Sequence, residues 1–357
     1  MTRVLHVTAV ASGGVVAHVR QVCELLKDAG IKVAIAAPPE VELSVEGCPR
    51  LKVPIGARPS FRDPVAIFQL RKLGRLTDVI HAHGLRAGAL CALAISGMKT
   101  PPRLIVTLHN MPLGSRSITA VSRVLGHIVA RKSQVVLGVS PDLVAWMDKE
   151  GAKSTRLALI PPPSGKMKEA KSGRGLRRDL GLASDEVVIL TVARCAPQKG
   201  LDMAVEACRI LRRTMPSARP WVWLVAGDGP GLEDLRRSAE GLPIRFLGRR
   251  EDVPELLEEA NVFVSTSLWE GQPVAIQEAL VAGVPVVATD VGGTRCVVET
   301  GGTLVEANPQ SIAGALSPIL CDPAREAQLR HIASRRGQNL PTLQQVLEQL
   351  KDVYTNF

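Results

Sequence analysis

Two glutamates mark the stretch with the clearest potential for chemistry. Glu270 follows a short apolar run and Glu278 lies eight positions later, with Gly271 and Pro273 between them. Proline at a helix start predicts that the free N–H groups of a helix N-terminus lie beside both carboxylates. Carboxylates bind hydroxyl groups, and helix N-termini bind phosphate. The stretch therefore predicts a site for a ligand of sugar and phosphate, with two solvated surface glutamates as the alternative.

Cations and glycines follow three other apolar runs of the same half. Arg194 and Lys199 lie five residues apart, just before Gly200 and a helical pattern. Such a pair can bind a diphosphate by charge-assisted hydrogen bonds, although two solvated charges would look the same. Two further turns read Gly227-Asp-Gly-Pro and Gly248-Arg249-Arg. Because no Asp-x-Asp occurs, the usual carboxylate clamp for a metal-bound nucleotide sugar is missing, and the sequence predicts neither a metal nor another cofactor.

Glycines and histidines stand at strand ends in the first half. Gly13 and Gly14 follow the first strand, where a close backbone approach or a positive φ is expected, but the dinucleotide fingerprint is absent and a plain tight turn is the alternative. His81-Ala-His83 ends one strand, yet no third or fourth metal ligand is evident from spacing, so no metal site is predicted. His109 ends the next strand. It is expected to contact substrate, with a structural histidine as the alternative.

Alternating strands and helices must position these residues. Apolar strands separated by helical patterns predict parallel sheets with helices on both faces, and ligands bind at the carboxyl edge of such sheets. The sequence therefore predicts an α/β protein with two doubly wound, Rossmann-like domains. Pro161-Pro-Pro163 and the basic segment Lys166–Arg178 predict the connector between them. The predicted parts are residues 1–163, residues 164–340, and a final helix within residues 341–357 that crosses back to the first domain.

Length and composition agree with this organisation. A chain of 357 residues is long for one core, so two domains are expected. Its seven cysteines are scattered and odd in number, which indicates neither zinc nor a disulfide framework and favours a reducing compartment. The sequence shows no cleavable signal and no apolar run near the ~20 residues that span a bilayer. It therefore predicts a cytoplasmic protein.

The positive charge is concentrated in the first half. Residues 1–165 hold 21 Lys and Arg against 10 Asp and Glu, whereas the whole chain has a net charge of +10, so the remainder carries −1. Such a field attracts anionic substrates or the anionic inner face of a plasma membrane. Nucleic acid ranks last, because aromatic residues are only 3% of the chain and no recognition module is present. The residues of this predicted basic surface are Arg58, Arg62, Arg71, Lys72, Arg75, Arg86, Arg116, Arg123, Arg131 and Lys132.

Taken together, these motifs resemble those of retaining, nucleotide-sugar-dependent glycosyltransferases of the GT-B fold, in family 4 (glycosyl transferases group 1). The resemblance covers nearly the whole chain. The stretches that carry it are Gly13-Gly14, Asp78-Val-Ile-His-Ala-His83, Val106-Thr-Leu-His109, Val192-Ala-Arg194, Gln198-Lys-Gly200, Gly227-Asp-Gly-Pro230, Phe246-Leu-Gly248, the paired glutamates and the final Leu350-Lys-Asp-Val-Tyr354.

The resemblance implies a hexosyltransferase that takes its sugar from a UDP- or GDP-sugar. The first domain would bind the acceptor and the second the donor, across a central cleft. Arg194 and Lys199 would bind the diphosphate, Glu270 the donor sugar and Glu278 the ribose, with His109 near the reacting carbon. The implied catalytic residues are His109, Arg194, Lys199 and Glu270. The implied donor-binding residues are Gly13, Gly14, Arg194, Lys199, Gly227, Arg249, Glu270, Gly271, Gln272, Pro273, Val274 and Glu278.

Two departures and one alternative accompany the resemblance. Gln272 stands where a bulky apolar residue is frequent in the family, and Pro161-Pro-Pro163 replaces its usual Asn-Gly. The sugar, the base and the acceptor are left open, a cell-envelope lipid or glycan precursor being one candidate acceptor. The alternative function is a non-catalytic protein of the same fold that only binds sugar nucleotides.

Overall fold

The chain folds into two compact units. The computed structural model describes residues 2–10, 13–112, 116–163, 175–215 and 219–355. The N-terminal unit comprises Met1–Pro161 and Pro341–Phe357, and the C-terminal unit comprises Pro162–Leu340. Most of the predicted connector, Lys166–Arg178, lies outside the described residues. Within the described residues no helix is both long and apolar enough to cross a membrane.

A seven-stranded parallel sheet forms the core of the N-terminal unit, in the order β3-β2-β1-β4-β5-β6-β7. Its strands are β1 (Arg3–Thr8), β2 (Lys32–Ala37), β3 (Arg50–Lys52), β4 (Val79–His83), β5 (Arg103–Leu108), β6 (Val135–Gly138) and β7 (Thr155–Leu157). Its helices are α1 (Gly14–Asp28), α2 (Asp63–Gly74), α3 (Leu85–Ile95), α4 (Arg116–Lys132) and α5 (Pro141–Lys149). Every residue of β4 is buried, as expected for a central strand covered on both faces.

The last helix, α14 (Leu343–Thr355), belongs to the N-terminal unit. It buries an apolar stripe that includes Val346, Leu350 and Val353. Its polar groups fix the register, because the amide of Gln349 accepts from the Leu159 N–H at 3.0 Å and donates to the Leu157 carbonyl at 2.9 Å. The chain's end is therefore part of the core of this unit.

A six-stranded parallel sheet forms the C-terminal unit, in the order β10-β9-β8-β11-β12-β13. Its strands are β8 (Val187–Val192), β9 (Trp221–Ala226), β10 (Ile244–Gly248), β11 (Val262–Ser265), β12 (Val286–Thr289) and β13 (Gly302–Val305). Its helices are α6 (Leu176–Asp179), α7 (Leu201–Thr214), α8 (Leu232–Ser238), α9 (Val253–Glu259), α10 (Val274–Val281), α11 (Thr294–Val298), α12 (Pro309–Cys321) and α13 (Pro323–Gln338).

Both sheets reverse their strand order at one point. The reversal lies between β1 and β4 in the first sheet and between β8 and β11 in the second. Loops that leave such neighbouring strands turn to opposite faces and open a crevice at the carboxyl edge, where α/β proteins bind ligands. Predicted site residues follow three of these four strands: Gly13 and Gly14 after β1, Lys199 after β8 and Glu270 after β11. The predicted His109 follows β5, the strand next to β4.

Several elements differ from the sequence prediction. The sequence pattern predicts a helix from about His18 to Ala29, but helix α1 begins at Gly14, because Gly13 takes the N-cap position with a φ of 60°. The sequence pattern predicts a strand from Arg156 to Ile160, but β7 ends at Leu157. Helix α2 and strand β3 were not predicted at all. In α2 the buried residues Ala66, Leu70 and Gly74 share one face, but the exposed Val65 and Phe68 obscure the apolar stripe that identifies a surface helix.

Candidate functional site

Lys199 and Glu270 meet at the strand-order reversal of the C-terminal unit. The Lys199 Nζ lies 2.5 Å from Glu270 Oε1, and the Ser267 hydroxyl donates to the same oxygen at 2.6 Å. The two side chains are only 23% and 11% exposed. A carboxylate at that depth needs a counter-charge and hydrogen-bond donors, and this one has both. The residues predicted to bind the diphosphate and the sugar thus form one charged pair.

Hydrogen bonds to backbone carbonyls hold the Lys199 loop against the Glu270 loop. The Gln198 side chain donates to the Trp269 carbonyl at 2.9 Å, and the Leu268 N–H donates to the Gln198 carbonyl at 2.8 Å. The Thr266 hydroxyl donates to the Lys199 carbonyl at 2.9 Å. Gly200 has a φ of +56°, and a Cβ there would overlap the Thr266 carbonyl. The fit of the two loops therefore requires glycine at this position.

The start of α10 lies next to Glu270. Pro273 occupies the N-cap position, so the N–H groups of Val274 and Ala275 have no intrahelical acceptor, as in any first helical turn. Glu278 follows one turn later and is partly buried. The Glu270 carbonyl accepts from the Gly293 N–H at 2.9 Å, which fixes the backbone on the other side. The free N–H groups at the start of α10, its helix dipole and the two carboxylates therefore belong to one loop and the helix that follows it.

The loops after β8, β9 and β10 form a second group at the same edge. The Cys195 N–H donates to the Asp228 carbonyl at 2.9 Å, and the Gly227 N–H donates to the Gly248 carbonyl at 2.8 Å. A Cβ at Gly227 would overlap the Ala193 carbonyl, so the close approach of these backbones requires glycine. Arg194 is exposed and makes no ion pair with the residues that the structure describes. Arg249, at the end of β10, is likewise exposed and unpaired in the described chain.

A cluster of five histidines lies at the strand-order reversal of the N-terminal unit. The parallel register sets His6 of β1 opposite His81 of β4. The Nδ1 of His6 lies 2.9 Å from the Nε2 of His83, and the Nδ1 of His83 lies 3.2 Å from the Nε2 of His109. The ring of His18, in the first turns of α1, is 5.4 Å from that of His109. Five of the chain's seven histidines therefore lie together.

Burial keeps the clustered imidazoles neutral. It lowers the pKa of His6 and of His109 to about 3 and that of His18 to about 4. The pKa values of His81 and His83 are also well below the ordinary value, first because of burial and then because of the neighbouring histidines. Desolvation disfavours the charged form of an imidazole, and a second positive charge nearby disfavours it further. Near neutral pH each ring therefore carries a single proton.

The structure corrects one premise of the sequence prediction about metals. Spacing alone gave His81 and His83 no third ligand, but the fold supplies His6 to one group of three and gathers His18, His83 and His109 in another. In the first group, however, both ring nitrogens of His81 are already engaged, with the hydroxyls of Tyr354 and Thr107, each at 2.7 Å. Hydrogen bonds between the histidines engage four of the ten ring nitrogens, and those to Tyr354 and Thr107 engage two more.

Sequence reasoning missed His6 and His18. A signal was present for each. His6 stands two residues before the end of a strand beside His81-Ala-His83, and His18 follows Gly13-Gly14 at a distance of one helical turn. Both become meaningful only when the pairing of β1 with β4 is known, because that pairing joins residues more than seventy positions apart.

Comparison with known families identifies the class of the chain. The family described as "Glycosyl transferases group 1" matches residues 186–322, and the "Glycosyl transferase 4-like domain" matches residues 13–163. The two matches cover most of both units and include every predicted site residue. The chain belongs to the group 1 glycosyltransferases and has the GT-B fold, so it is a glycosyltransferase.

Individual relatives agree with this membership. The chain is 26% identical to the UDP-Gal:alpha-D-GlcNAc-diphosphoundecaprenol alpha-1,3-galactosyltransferase of Escherichia coli, over 81% of this chain and 78% of that protein. It is 31% identical to the D-inositol 3-phosphate glycosyltransferase of Geodermatophilus obscurus, over 78% of this chain and 66% of that protein. Among solved structures, Anabaena Alr3699/HepE in complex with UDP and glucose superposes with a TM-score of 0.79 at 18% identity, over the full length of both chains.

Proposed function

We propose that the chain transfers a hexosyl unit from a UDP-sugar to an acceptor, with retention of the anomeric configuration and without a metal ion. The observation that carries the proposal is the pairing of Lys199 with Glu270 beside the start of α10. A cation, a carboxylate and free helix N–H groups are the partners that a diphosphate and a sugar need. GDP-sugars are the second candidate donors.

In this proposal the donor replaces the Lys199–Glu270 ion pair when it binds. A nucleotide diphosphate brings negative charge to the loop and competes with Glu270 for the ammonium group of Lys199. When Lys199 turns to the diphosphate, Glu270 is left with oxygen atoms free to accept from sugar hydroxyls. The Glu270 carboxylate keeps the Ser267 hydroxyl as a donor and gains the sugar hydroxyls, so it still has hydrogen-bond donors after the exchange.

The same groups stabilise the departing diphosphate. Breaking the bond between the anomeric carbon and the phosphate leaves negative charge on the nucleotide. Arg194, Lys199 and the N–H groups of α10 oppose that charge, which is pre-organised electrostatic catalysis of the kind that a metal would otherwise supply. Glu278 binds the ribose, and His109 contacts the transferred sugar. Retention follows the resemblance to the family, and its chemical route is left open.

The names of the relatives favour UDP over GDP. The Escherichia coli relative is named for UDP-Gal, and the Anabaena structure contains UDP and glucose. A ligand that binds only the native state raises the melting temperature, by a stabilisation of about 2.7 kcal/mol at one hundred times its Kd. We therefore expect UDP and UDP-sugars, in excess EDTA, to raise the melting temperature of the protein more than GDP does.

The outcomes of this screen are distinguishable. A shift with GDP alone would move the proposal to GDP-sugars, and a UDP shift that disappears in EDTA would contradict metal independence. Release of UDP from a UDP-sugar, with or without an acceptor, distinguishes an enzyme from a non-catalytic binding protein of the same fold. A chain that binds UDP-sugar and never cleaves it would support the latter.

The N-terminal unit is the proposed acceptor side. The basic character of its sequence suits an anionic acceptor. Both curated relatives are named for phosphate-bearing acceptors, a diphosphoundecaprenol-linked sugar in one and an inositol phosphate in the other. We propose an acceptor that carries phosphate, and a lipid-linked acceptor in particular, because this unit also exposes an apolar surface.

That surface, called here the α2/α4 surface, combines exposed apolar and basic residues. Helices α2 and α4 both pack against α3. The exposed apolar residues are Phe61, Val65, Phe68, Leu76, Ile118, Val121 and Val124. Phe61 is 88% exposed, with the Arg62 guanidinium 5.8 Å from its ring centre, and the Lys72 ammonium lies 4.4 Å from the ring centre of Phe68. Mixed basic and apolar surfaces of this kind suit an anionic lipid interface.

Charge complementarity supports a membrane as the occupant. Residues 58–76 and 116–132 contain nine Lys and Arg and one acidic residue, Asp63. Asp63 forms an ion pair with Arg86 at 2.8 Å and therefore does not offset the exposed cations. This pair also corrects the predicted basic surface, because Arg86 is largely buried and Arg71 donates to the carbonyls of Ala94 and Ser96.

We expect the protein to co-sediment with vesicles that contain anionic lipid and to be released by salt. Each Lys or Arg near an anionic surface contributes about 1 kcal/mol, which salt screens. Replacing Phe61 and Phe68 with serine is expected to weaken binding, and Val281→Ser, an exposed apolar residue of the C-terminal unit, serves as control. Sedimentation that ignores anionic lipid and salt would count against the α2/α4 surface as a membrane contact.

A further inference from the structure

We infer that His6 and His83 form a hydrogen-bonded relay that holds the proton of His109 on Nδ1 and thereby makes His109 a hydrogen-bond donor toward substrate. Only the role of His109 as a hydrogen-bond donor toward substrate rests on the proposed function. His6 and His83 are positioning residues in this inference, since they act through His109. The relay itself involves only three side chains of the N-terminal unit.

The geometry allows two arrangements of the protons. Each neutral imidazole has one N–H and one bare nitrogen. His83 uses both nitrogens, Nε2 toward His6 at 2.9 Å and Nδ1 toward His109 at 3.2 Å. If His6 donates to His83, then His83 must donate to His109, and His109 keeps its own proton on Nδ1. If the direction is reversed, His109 carries its proton on Nε2. The three tautomers are therefore coupled.

The His6 end of the relay selects between these two arrangements of the protons. The Nε2 of His6 is buried and has no hydrogen-bond partner among the described residues. In the reversed arrangement that atom would be an N–H donor buried without an acceptor, which native proteins avoid more strictly than an unused acceptor. The observed packing therefore favours His6 as the first donor. His109 then receives a hydrogen bond at Nε2 and has its N–H at Nδ1.

Neighbouring rings fix the relay in place. His81 stacks on His83 with ring centres 4.4 Å apart, and its own nitrogens are held by Tyr354 and Thr107. Burial keeps all of these rings neutral, so no second proton is available to break the coupling. A neutral histidine whose tautomer is set by a buried partner presents a defined donor or acceptor to its ligand. Here the defined group is a donor, suited to the oxygen of a sugar hydroxyl.

Nitrogen NMR of histidine-labelled protein tests the relay without any activity. A protonated ring nitrogen and a bare one have well-separated chemical shifts, and single substitutions assign the seven histidines. We expect His109 to carry its proton on Nδ1 in the native protein. His83→Asn offers an amide N–H in the place of the His83 Nδ1 and should keep that tautomer. His83→Asp offers only an acceptor and should move the proton of His109 to Nε2.

A second pair of variants covers the case in which His83→Asp does not fold. His6→Asn can donate to His83 and should leave the proton of His109 on Nδ1. His6→Asp can only accept, so it should reverse the direction of the hydrogen bonds and move the proton of His109 to Nε2. His6 makes no hydrogen bond to His109 among the described contacts, so a merely local packing role would not move the proton of His109. The relay is overturned if His109 is protonated on Nε2 in the native protein, or if the Asp and Asn variants give the same tautomer.

Two further readouts separate this inference from its rivals. Retention of one equivalent of zinc by the purified protein, with displaced shifts at His18, His83 and His109, would identify a metal site and overturn the relay. In transfer assays we expect kcat to fall about tenfold in His83→Asp and to stay within a few-fold in His83→Asn, with the Kd for UDP unchanged in both. Failure to transfer sugar in any variant, the native protein included, would count against the proposed function and leave the NMR result standing.

Discussion

Replacing Lys199 with alanine is expected to lower kcat for sugar transfer by about 10²–10³, the range found when one pre-organised stabilising group is removed from an active site. The physical reason is that Lys199 is the buried cation nearest to Glu270, and in the proposal it neutralises the departing diphosphate. UDP binding should weaken as well, because the same contact exists in the ground state. Steady-state release of UDP and calorimetric titration with UDP measure both effects.

Stability must be separated from catalysis in this experiment. Lys199→Ala leaves the Glu270 carboxylate buried without its cation, and removing one member of a buried pair costs about 3 kcal/mol. The double variant Lys199→Ala with Glu270→Gln removes that uncompensated charge and should recover much of the stability but none of the activity. Lys351→Ala, at an exposed position of α14, serves as control. Near-normal turnover by a folded Lys199→Ala protein would refute the assigned role.

Replacing Glu270 with glutamine is expected to reduce turnover while preserving the affinity for UDP. The amide keeps the shape of the side chain and an oxygen for the Ser267 hydroxyl, but it loses the charge that accepts strongly from sugar hydroxyls. A hydrogen bond to a charged group contributes about 1.5–3 kcal/mol, which corresponds to a loss of roughly tenfold to a hundredfold in kcat/KM for the UDP-sugar. UDP should bind at least as tightly as before, because Lys199 no longer has to leave a carboxylate.

Glu278→Gln is the matched comparison for Glu270. If Glu278 binds the ribose, its neutral variant should weaken UDP itself, and the loss should be similar for UDP and for UDP-sugar. Calorimetric titration with both ligands distinguishes the two glutamates. Loss of UDP affinity in Glu270→Gln, or unchanged turnover of the UDP-sugar, would contradict a role for Glu270 at the sugar.

The sequence predicted site residues best where a local motif lies in a loop directly after an apolar strand. Lys199 and Glu270 were each identified from the apolar strand before them and the glycine or proline after them, and the parallel order of β8 and β11 brings them together. Their pairing could not be predicted from spacing, because it depends on the fit of two loops seventy-one residues apart. The two doubly wound sheets followed from the alternation of strands and helices.

The sequence predicted least where the structure depends on distant contacts. His6 looked like an ordinary strand residue, and only the register with β4 shows it beside His83. Helix α2 was missed because Val65 and Phe68 face outward, so its apolar residues lie on both sides of the helix. A helix that exposes apolar side chains violates the periodicity from which surface helices are predicted. In this chain the helix that departs from the periodicity, α2, is also part of the proposed membrane contact.

A crystal structure of the protein soaked with a UDP-sugar in the presence of EDTA tests the proposed donor site most directly. We expect the diphosphate to lie against Arg194, Lys199 and the first N–H groups of α10. We expect the ribose hydroxyls to bind Glu278 and the Lys199 ammonium to have left Glu270. A nucleotide bound away from the loops after β8 and β11, or a diphosphate that binds only through a metal ion, would contradict it.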